Sequence, residues 1–223
     1  MMDTKEKKRE IIEKHHVVFC EGEDEKWFLI WLLNSQELSD VPFYSNDIQV
    51  INFGGNEELS DKLNLLKITP GFQEVESLLV IRDAERDARR AVQKIQSSLG
   101  KAQLPVPSAP GEWTSGGRKV GFLLFPNCDQ TIRDGTLEDL CLSILKEENH
   151  SIILDEVQLF LKSLEQNHKR QFPHIFKSKL HTYFSVTDDF VGLKIGEAAR
   201  ARAFDWNNDK LAFLKSFLLS STD

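Results

Sequence analysis

Two short apolar runs, each ending in a burst of acidic residues, constrain this chain more than any other feature. Val17-Val18-Phe19-Cys20 ends in Glu21-Gly22-Glu23-Asp24-Glu25, and Leu78-Leu79-Val80-Ile81 ends in Asp83-Ala84-Glu85-Arg86-Asp87. Such β-branched, aromatic and aliphatic runs read as buried strands of a parallel sheet. Open α/β sheets place their functional crevice outside the carboxyl ends of the strands. The sequence therefore sends two carboxylate clusters to the edge where such folds carry out chemistry. Crowded carboxylates repel one another unless a cation lies among them, and a set of hard oxygen ligands suits Mg²⁺ or Mn²⁺.

The rest of the chain continues the alternation. Strands are expected at about 15–21, 48–53, 77–81 and 120–125. Helices are expected at about 23–36, 57–68 and 86–99, with Trp27, Phe28, Ile30, Trp31 and Leu32 as the packing face of the first. Asn46-Asp47 marks the turn before the second strand, and Pro70-Gly71 breaks the second helix. Between 101 and 118, three prolines and three glycines in one stretch predict a long exposed loop, expected to be mobile and near the acidic site. Thr136, or the nearby Asp134, caps a helix through Leu137-Glu138-Asp139-Leu140. From there the pattern is helical, at about 152–166, 172–184, 196–202 and 208–219. Strands alternating with helices predict a parallel sheet with right-handed crossovers. The organisation is thus an arm or leading helix over 1–14, an α/β domain over 15–150, and a helical C-terminal segment over 151–223 packed on it.

Composition removes several function classes. The longest apolar run, Phe28 to Leu33, is far too short to span a bilayer, and Met1 to Lys14 is charged and lacks a signal peptide's apolar stretch. No membrane partner is expected. Cys20, Cys128 and Cys141 show no CxxC spacing, which argues against a disulfide framework or a zinc site and for reduced core thiols in a cytoplasmic protein. The formal charge of -7 gives no global footprint for nucleic acid. Local charge differs. Residues 162–202 hold eight Lys or Arg (Lys162, Lys169, Arg170, Lys177, Lys179, Lys194, Arg200, Arg202) and four acids (Glu165, Asp188, Asp189, Glu197), a net of +4. A basic segment beside an acidic metal site suits a phosphate backbone, and it also suits a plain solvated helical surface.

Each acid has a bland reading beside the chemical one. Glu23, Asp24 and Glu25 fall in a first helical turn, where the macrodipole favours acids. Glu21 sits at the strand-to-helix turn, and Gly22 lets the backbone approach a ligand. Asp83 and Glu85 point the same way if the strand persists through them. If the helix has begun by Glu85, Asp83 and Asp87 share a face instead. Gly54-Gly55-Asn56 is a weak phosphate-loop signal or a simple turn. His15 and His16 are structural or exposed, and His168, His174 and His181 are too dispersed to define a site.

Taken together, Val18 to Glu25, Phe53-Gly54-Gly55-Asn56 and Val80 to Asp87 resemble the TOPRIM domain of topoisomerases, primases, ribosomal-RNA maturases and the overcoming-lysogenization-defect nucleases. The chain looks closest to a small stand-alone TOPRIM-like family of largely uncharacterised microbial proteins. Gly135-Thr136-Leu137-Glu138-Asp139-Leu140, Lys177-Ser178-Lys179-Leu180 and the stretch from Leu193 to Trp206 extend that resemblance over most of 15–218. It implies a Rossmann-like TOPRIM α/β fold and Mg²⁺-dependent (or Mn²⁺-dependent) phosphodiester chemistry on nucleic acid, of the nuclease type. Asp83 and Glu85, with Asp87 in reserve, would bind metal. Glu21 would ligate metal or act as general acid/base, and Asp24 or Glu25 would complete a second metal site. Glu138 joins the ligands, and Lys177 of the basic helix points into the site. The family's second aspartate is Glu85 here, which bears on the near-octahedral geometry that Mg²⁺ demands. The alternatives are a non-catalytic module that binds a nucleotide or a protein partner, for example in phage defence, and a phosphohydrolase acting on a small nucleotide. A homo-oligomer is compatible with any of these.

Overall fold

Alternation along the strands splits the core into two layers. The computed structural model describes residues 11–35, 47–54, 58–147 and 151–222. Most of the 1–14 arm, the Asn46 half of the predicted turn, and Gly55 and Asn56 of the glycine turn lie outside these residues. Four strands form one parallel sheet in the order β2-β1-β3-β4: β1 His16–Cys20, β2 Ile48–Asn52, β3 Ser77–Asp83 and β4 Lys119–Phe125. β1 is buried along its whole length between β2 and β3, as expected of an unbroken apolar run. Successive side chains point to opposite faces. Val17, Phe19, Leu78, Val80, Val120, Phe122 and Leu124 therefore share one face, and Val18, Cys20, Leu79, Ile81, Leu123 and Phe125 the other.

Helices cover both faces. α1 (Glu23–Leu33), α2 (Leu59–Lys67) and α3 (Ala88–Lys101) follow the first three strands. α4 (Leu137–Leu145), α5 (Ser151–His168), α6 (Ile175–Ser185), α7 (Ile195–Arg200) and α8 (Ala212–Leu219) follow β4. α2 and α3 pack on the Val17 face through Leu59, Leu63, Leu66, Ala91, Ile95 and Leu99. α1, α4, α6, α7 and α8 pack on the Val18 face. The fold is α/β with a helical C-terminal segment built into one of its layers. Leu29 and Leu32 of α1 are fully buried, and each such leucine contributes roughly 1.5–3 kcal/mol. Trp27, expected on that packing face, is 43% exposed. Its Cβ instead leaves room only for hydrogen at Gly196 of α7, where an added Cβ would lie 2.5 Å away.

The stretch from 101 to 118 is irregular but does not lie near the acids. It joins the C-terminal end of α3 to the N-terminal end of β4, so it sits at the amino edge of the sheet, opposite the carboxyl ends. It is also only partly exposed. Ala102, Leu104, Pro107 and Pro110 are buried, the Gln96 amide donates to the carbonyls of Pro107 and Ser108 at 3.0 Å, and Trp113 bridges Gly121 and stacks on Phe217 at 4.6 Å. The prolines deny it a ladder, while its apolar residues still find the core. Among the described residues, no helix is long and apolar enough to cross a membrane.

Candidate functional site

β1 and β3 are adjacent and parallel, with Cys20 opposite Ile81. Glu21 leaves the end of β1 and Asp83 is the last residue of β3, so both stand at the carboxyl edge. Parity then separates them. Glu21 continues the alternation of Val17 and Phe19, and it meets Arg82 of the same parity at 3.1 Å. Both side chains are less than one-fifth exposed. The Oε2 of Glu21 and the Nε of Arg82 are buried without a well-formed hydrogen bond. Burial raises the Glu21 carboxyl above the usual carboxylate range; Arg82 opposes the rise and Glu85 adds to it.

Asp83 has the parity of Leu79 and Ile81 and faces α1 and α4. Its Oδ1 accepts the Leu137 N–H, the first amide of α4, at 2.9 Å. Glu25 from α1 and Glu138 from α4 lie near it. Burial pushes Asp83 well above the usual range, and Glu25, Glu138 and Glu21 raise it further against the opposing Leu137 hydrogen bond. Burial likewise pushes Glu25 up to about 7, with Glu138, Glu21 and Asp24 adding to the rise. The Glu25 carboxylate folds back over Gly22, where an added Cβ would lie 2.5 Å from its Oε2. Gly22 thus accommodates a side chain of this site. Three carboxylates, Glu25, Asp83 and Glu138, are gathered on one face of the edge with no buried cation between them in the described residues. Lys177 Nζ stands 3.9 Å from Glu138 Oε1, 57% exposed.

The remaining predicted site residues are placed elsewhere. Asp24 Oδ1 accepts the Gly196 N–H at 3.3 Å and so ties α7 to α1. Asp87 is the N-cap of α3, accepting the Arg90 N–H at 2.9 Å. Both acids thus accept a backbone N–H at a helix start, Asp24 that of α7 and Asp87 that of α3. Glu85 fits neither sequence alternative. The strand ends at Asp83 and the helix begins at Ala88. Between them Glu85 is exposed with φ 58° and exchanges two 2.8 Å backbone hydrogen bonds with Gly135. Of the two proposed caps for α4, Thr136 takes the role, with Asp139 accepting its N–H at 2.9 Å. Asp134 instead accepts the Ala88 N–H at 2.8 Å and helps start α3. Arg82 and Arg133 were missed as site residues. Parity along the two strands signalled the first, while nothing local signalled the second.

A cleft of about 720 Å³ opens from Asp83 and Glu138 towards Lys177, with Arg86, Arg133 and His174 on its walls. Among the described residues, no three His, Cys, Asp or Glu side chains converge as they stand on a point that would hold a metal ion. The donor chemistry of the Glu25, Asp83 and Glu138 trio still fits a hard divalent cation. Its donors are all oxygen, and two of its members are raised, chiefly by burial and further by neighbouring carboxylates whose repulsion a cation would relieve.

The molecule is therefore a parallel α/β protein with an acidic trio at its carboxyl edge. The chain belongs to the family described as "Protein of unknown function (DUF3226)", whose model matches residues 15–223. No curated protein matches it in sequence. Among solved structures it is similar to the C-terminal region of the Xanthomonas campestris pv. campestris OLD protein. One structure of that region, phased with iodine, is 14% identical at a TM-score of 0.46, covering 95% of this chain and 97% of that one. A second, phased with mercury, is 12% identical at a TM-score of 0.45, with the same coverage.

Proposed function

We propose that this protein hydrolyses phosphodiester bonds in nucleic acid with Mg²⁺ or Mn²⁺, as a TOPRIM-type nuclease. The observation that carries the reading is the trio of Glu25, Asp83 and Glu138 crowded at the carboxyl edge, two of which, Asp83 and Glu138, line a cleft walled by Lys177 and Arg133. The TOPRIM resemblance of the same segments supplies the reaction class. These three residues would hold the cation, and Glu85 reaches towards the site from the rim. Bound there, a divalent ion supplies positive charge against the scissile phosphate. Glu21, buried beside Arg82, holds a proton more readily than an ordinary carboxyl and serves as the general acid/base. Lys177 orients the phosphate. The exposed placement of Glu85, outside the trio, favours a second reading in which the protein binds nucleic acid without cutting it.

The test is incubation of single- and double-stranded DNA and RNA with the parent and Asp83→Asn, with Mg²⁺, Mn²⁺ or EDTA. Cleavage by the parent alone, abolished by EDTA, is the expected result. No cleavage of any substrate by the parent overturns the hydrolytic reading. If affinity is retained, the binding module takes its place.

A further inference from the structure

Helix α6 buries Leu180, Tyr183 and Phe184 along one face. Phe176 lies four residues before Leu180, so helical spacing puts it on that same face. It is nevertheless 49% exposed. The core ends beneath it and two clefts meet there. One is the cleft of the acidic trio. The other, of about 540 Å³, extends away along α4 towards α5 and α8. Phe176 and Arg133 line both. The two lysines that follow Phe176 on α6 diverge. Lys177 stands against Glu138 in the first cleft, and Lys179 lines the second together with Lys146. Burial holds the Lys179 ammonium below the usual lysine range, while Asp155 opposes the fall. An anion in this cleft would restore what burial costs. Of the aspartates lining the second cleft, Asp134 accepts the Ala88 N–H, Asp139 the Thr136 N–H and Asp129 the Thr131 N–H, while Asp155 lies near Lys179 and Asp209 lines the far end.

Resting on the phosphodiester reading above, we infer that Phe176 is a stacking platform for an unpaired nucleobase, with the adjoining phosphates held by Lys179 and Lys146. The substrate is then single-stranded nucleic acid, or a single-stranded end, that crosses α6 from the second cleft into the acidic one. The chemistry is that of other single-strand sites: an aromatic face takes any base, and basic side chains track the backbone. A duplex interior hides its base faces and offers Phe176 nothing to stack on.

The experiment measures the affinity of labelled oligonucleotides in EDTA, so that binding is read without cleavage. DNA and RNA single strands are compared with the same sequences as blunt duplexes, across a range of salt. The parent should bind single strands more tightly than duplexes. Phe176→Ala should weaken single-strand binding about five- to a hundredfold with its salt slope unchanged, because no charge is lost. Phe176→Trp should retain affinity, and Lys179→Ala should lower the salt slope by about one. Equal affinity of Phe176→Ala and the parent for single strands overturns the inference, and so does equal affinity of the parent for duplex. Should the alanine variant melt early, Phe176→Leu keeps an apolar side chain without the ring and gives the same reading. The two proposals fail separately. Phe176-dependent binding without cleavage in Mg²⁺ or Mn²⁺ sinks hydrolysis and leaves the platform. Cleavage of duplex by Phe176→Ala at the parent rate sinks the platform and leaves hydrolysis.

Discussion

Replacing Glu25 by glutamine should stabilise the protein at neutral and alkaline pH and leave it unchanged at pH 4. Glu25 titrates near 7 in the folded chain, against an ordinary 4.5, chiefly because it is buried and then because Glu138, Glu21 and Asp24 crowd it. Its folded-state pKa is raised, so between 4.5 and about 7 the folded chain keeps a proton that the unfolded chain has lost. Stability contributed by that proton is intact below 4.5 and drains away as pH rises to about 7. At 1.36 kcal/mol for each pH unit, the rise amounts to about 3 kcal/mol above that window. Glutamine keeps the shape and cannot ionise, so Glu25→Gln should recover up to that amount at pH 8. For a chain of this size that is roughly 6–12 °C in Tm. Urea unfolding of parent and variant from pH 4 to pH 8, in EDTA, reads the difference directly. Adding Mg²⁺ should shrink the gap at pH 8, because a bound cation stabilises the parent by mass action. A stability difference that stays constant from pH 4 to pH 8 would refute the reasoning, since it would show that the charge on Glu25 costs the folded state nothing.

Three further outcomes are expected. Asp83→Asn keeps a side-chain oxygen for the Leu137 amide, so it should fold normally yet lose the Mg²⁺-dependent rise in Tm expected of the parent; an undiminished rise places the ion elsewhere. Gly196→Ala should cost about 1–3 kcal/mol, because its Cβ would lie 2.5 Å from that of Trp27. Unchanged urea midpoints would show that α7 slides on α1 without penalty. Lys177→Ala should weaken nucleic-acid affinity and lower the salt slope by about one, and an unaltered slope would place Lys177 outside the phosphate path.

Much of the architecture was legible because apolar runs and helical spacing are strong signals. The four strands, their parallel direction and the helices after each follow from Val17 to Cys20, Leu78 to Ile81 and their counterparts. Strand direction alone sent Glu21 and Asp83 to one edge. The partition of that edge was harder to see. Which acids share a face depends on the parity with which each strand ends, and the sequence left the end of β3 open between two alternatives. Local patterns could not separate Asp24 and Asp87, which cap helices, from Glu25, which turns inward, because all three occupy favourable helix-start positions. The loop over 101–118 was readable as irregular, but its side of the sheet follows from tracing α3 back to the amino edge rather than from composition. Helical spacing puts Phe176 on the buried face of α6, and only the fold shows that the core stops beneath it.

The paired backbone bonds between Glu85 and Gly135 splice the turn after β3 to the turn before α4. Their conformations are φ 58° and φ 141°. In a saturation library the two positions should therefore behave very differently from their exposed neighbours. Position 135 should tolerate glycine alone, since a Cβ there would lie 3.0 Å from both Asp139 and Pro126. Position 85 should admit asparagine, aspartate and glycine while rejecting valine and isoleucine. An aspartate at 85 is thus sterically available to this backbone, and the longer acid it carries is a choice the splice does not impose.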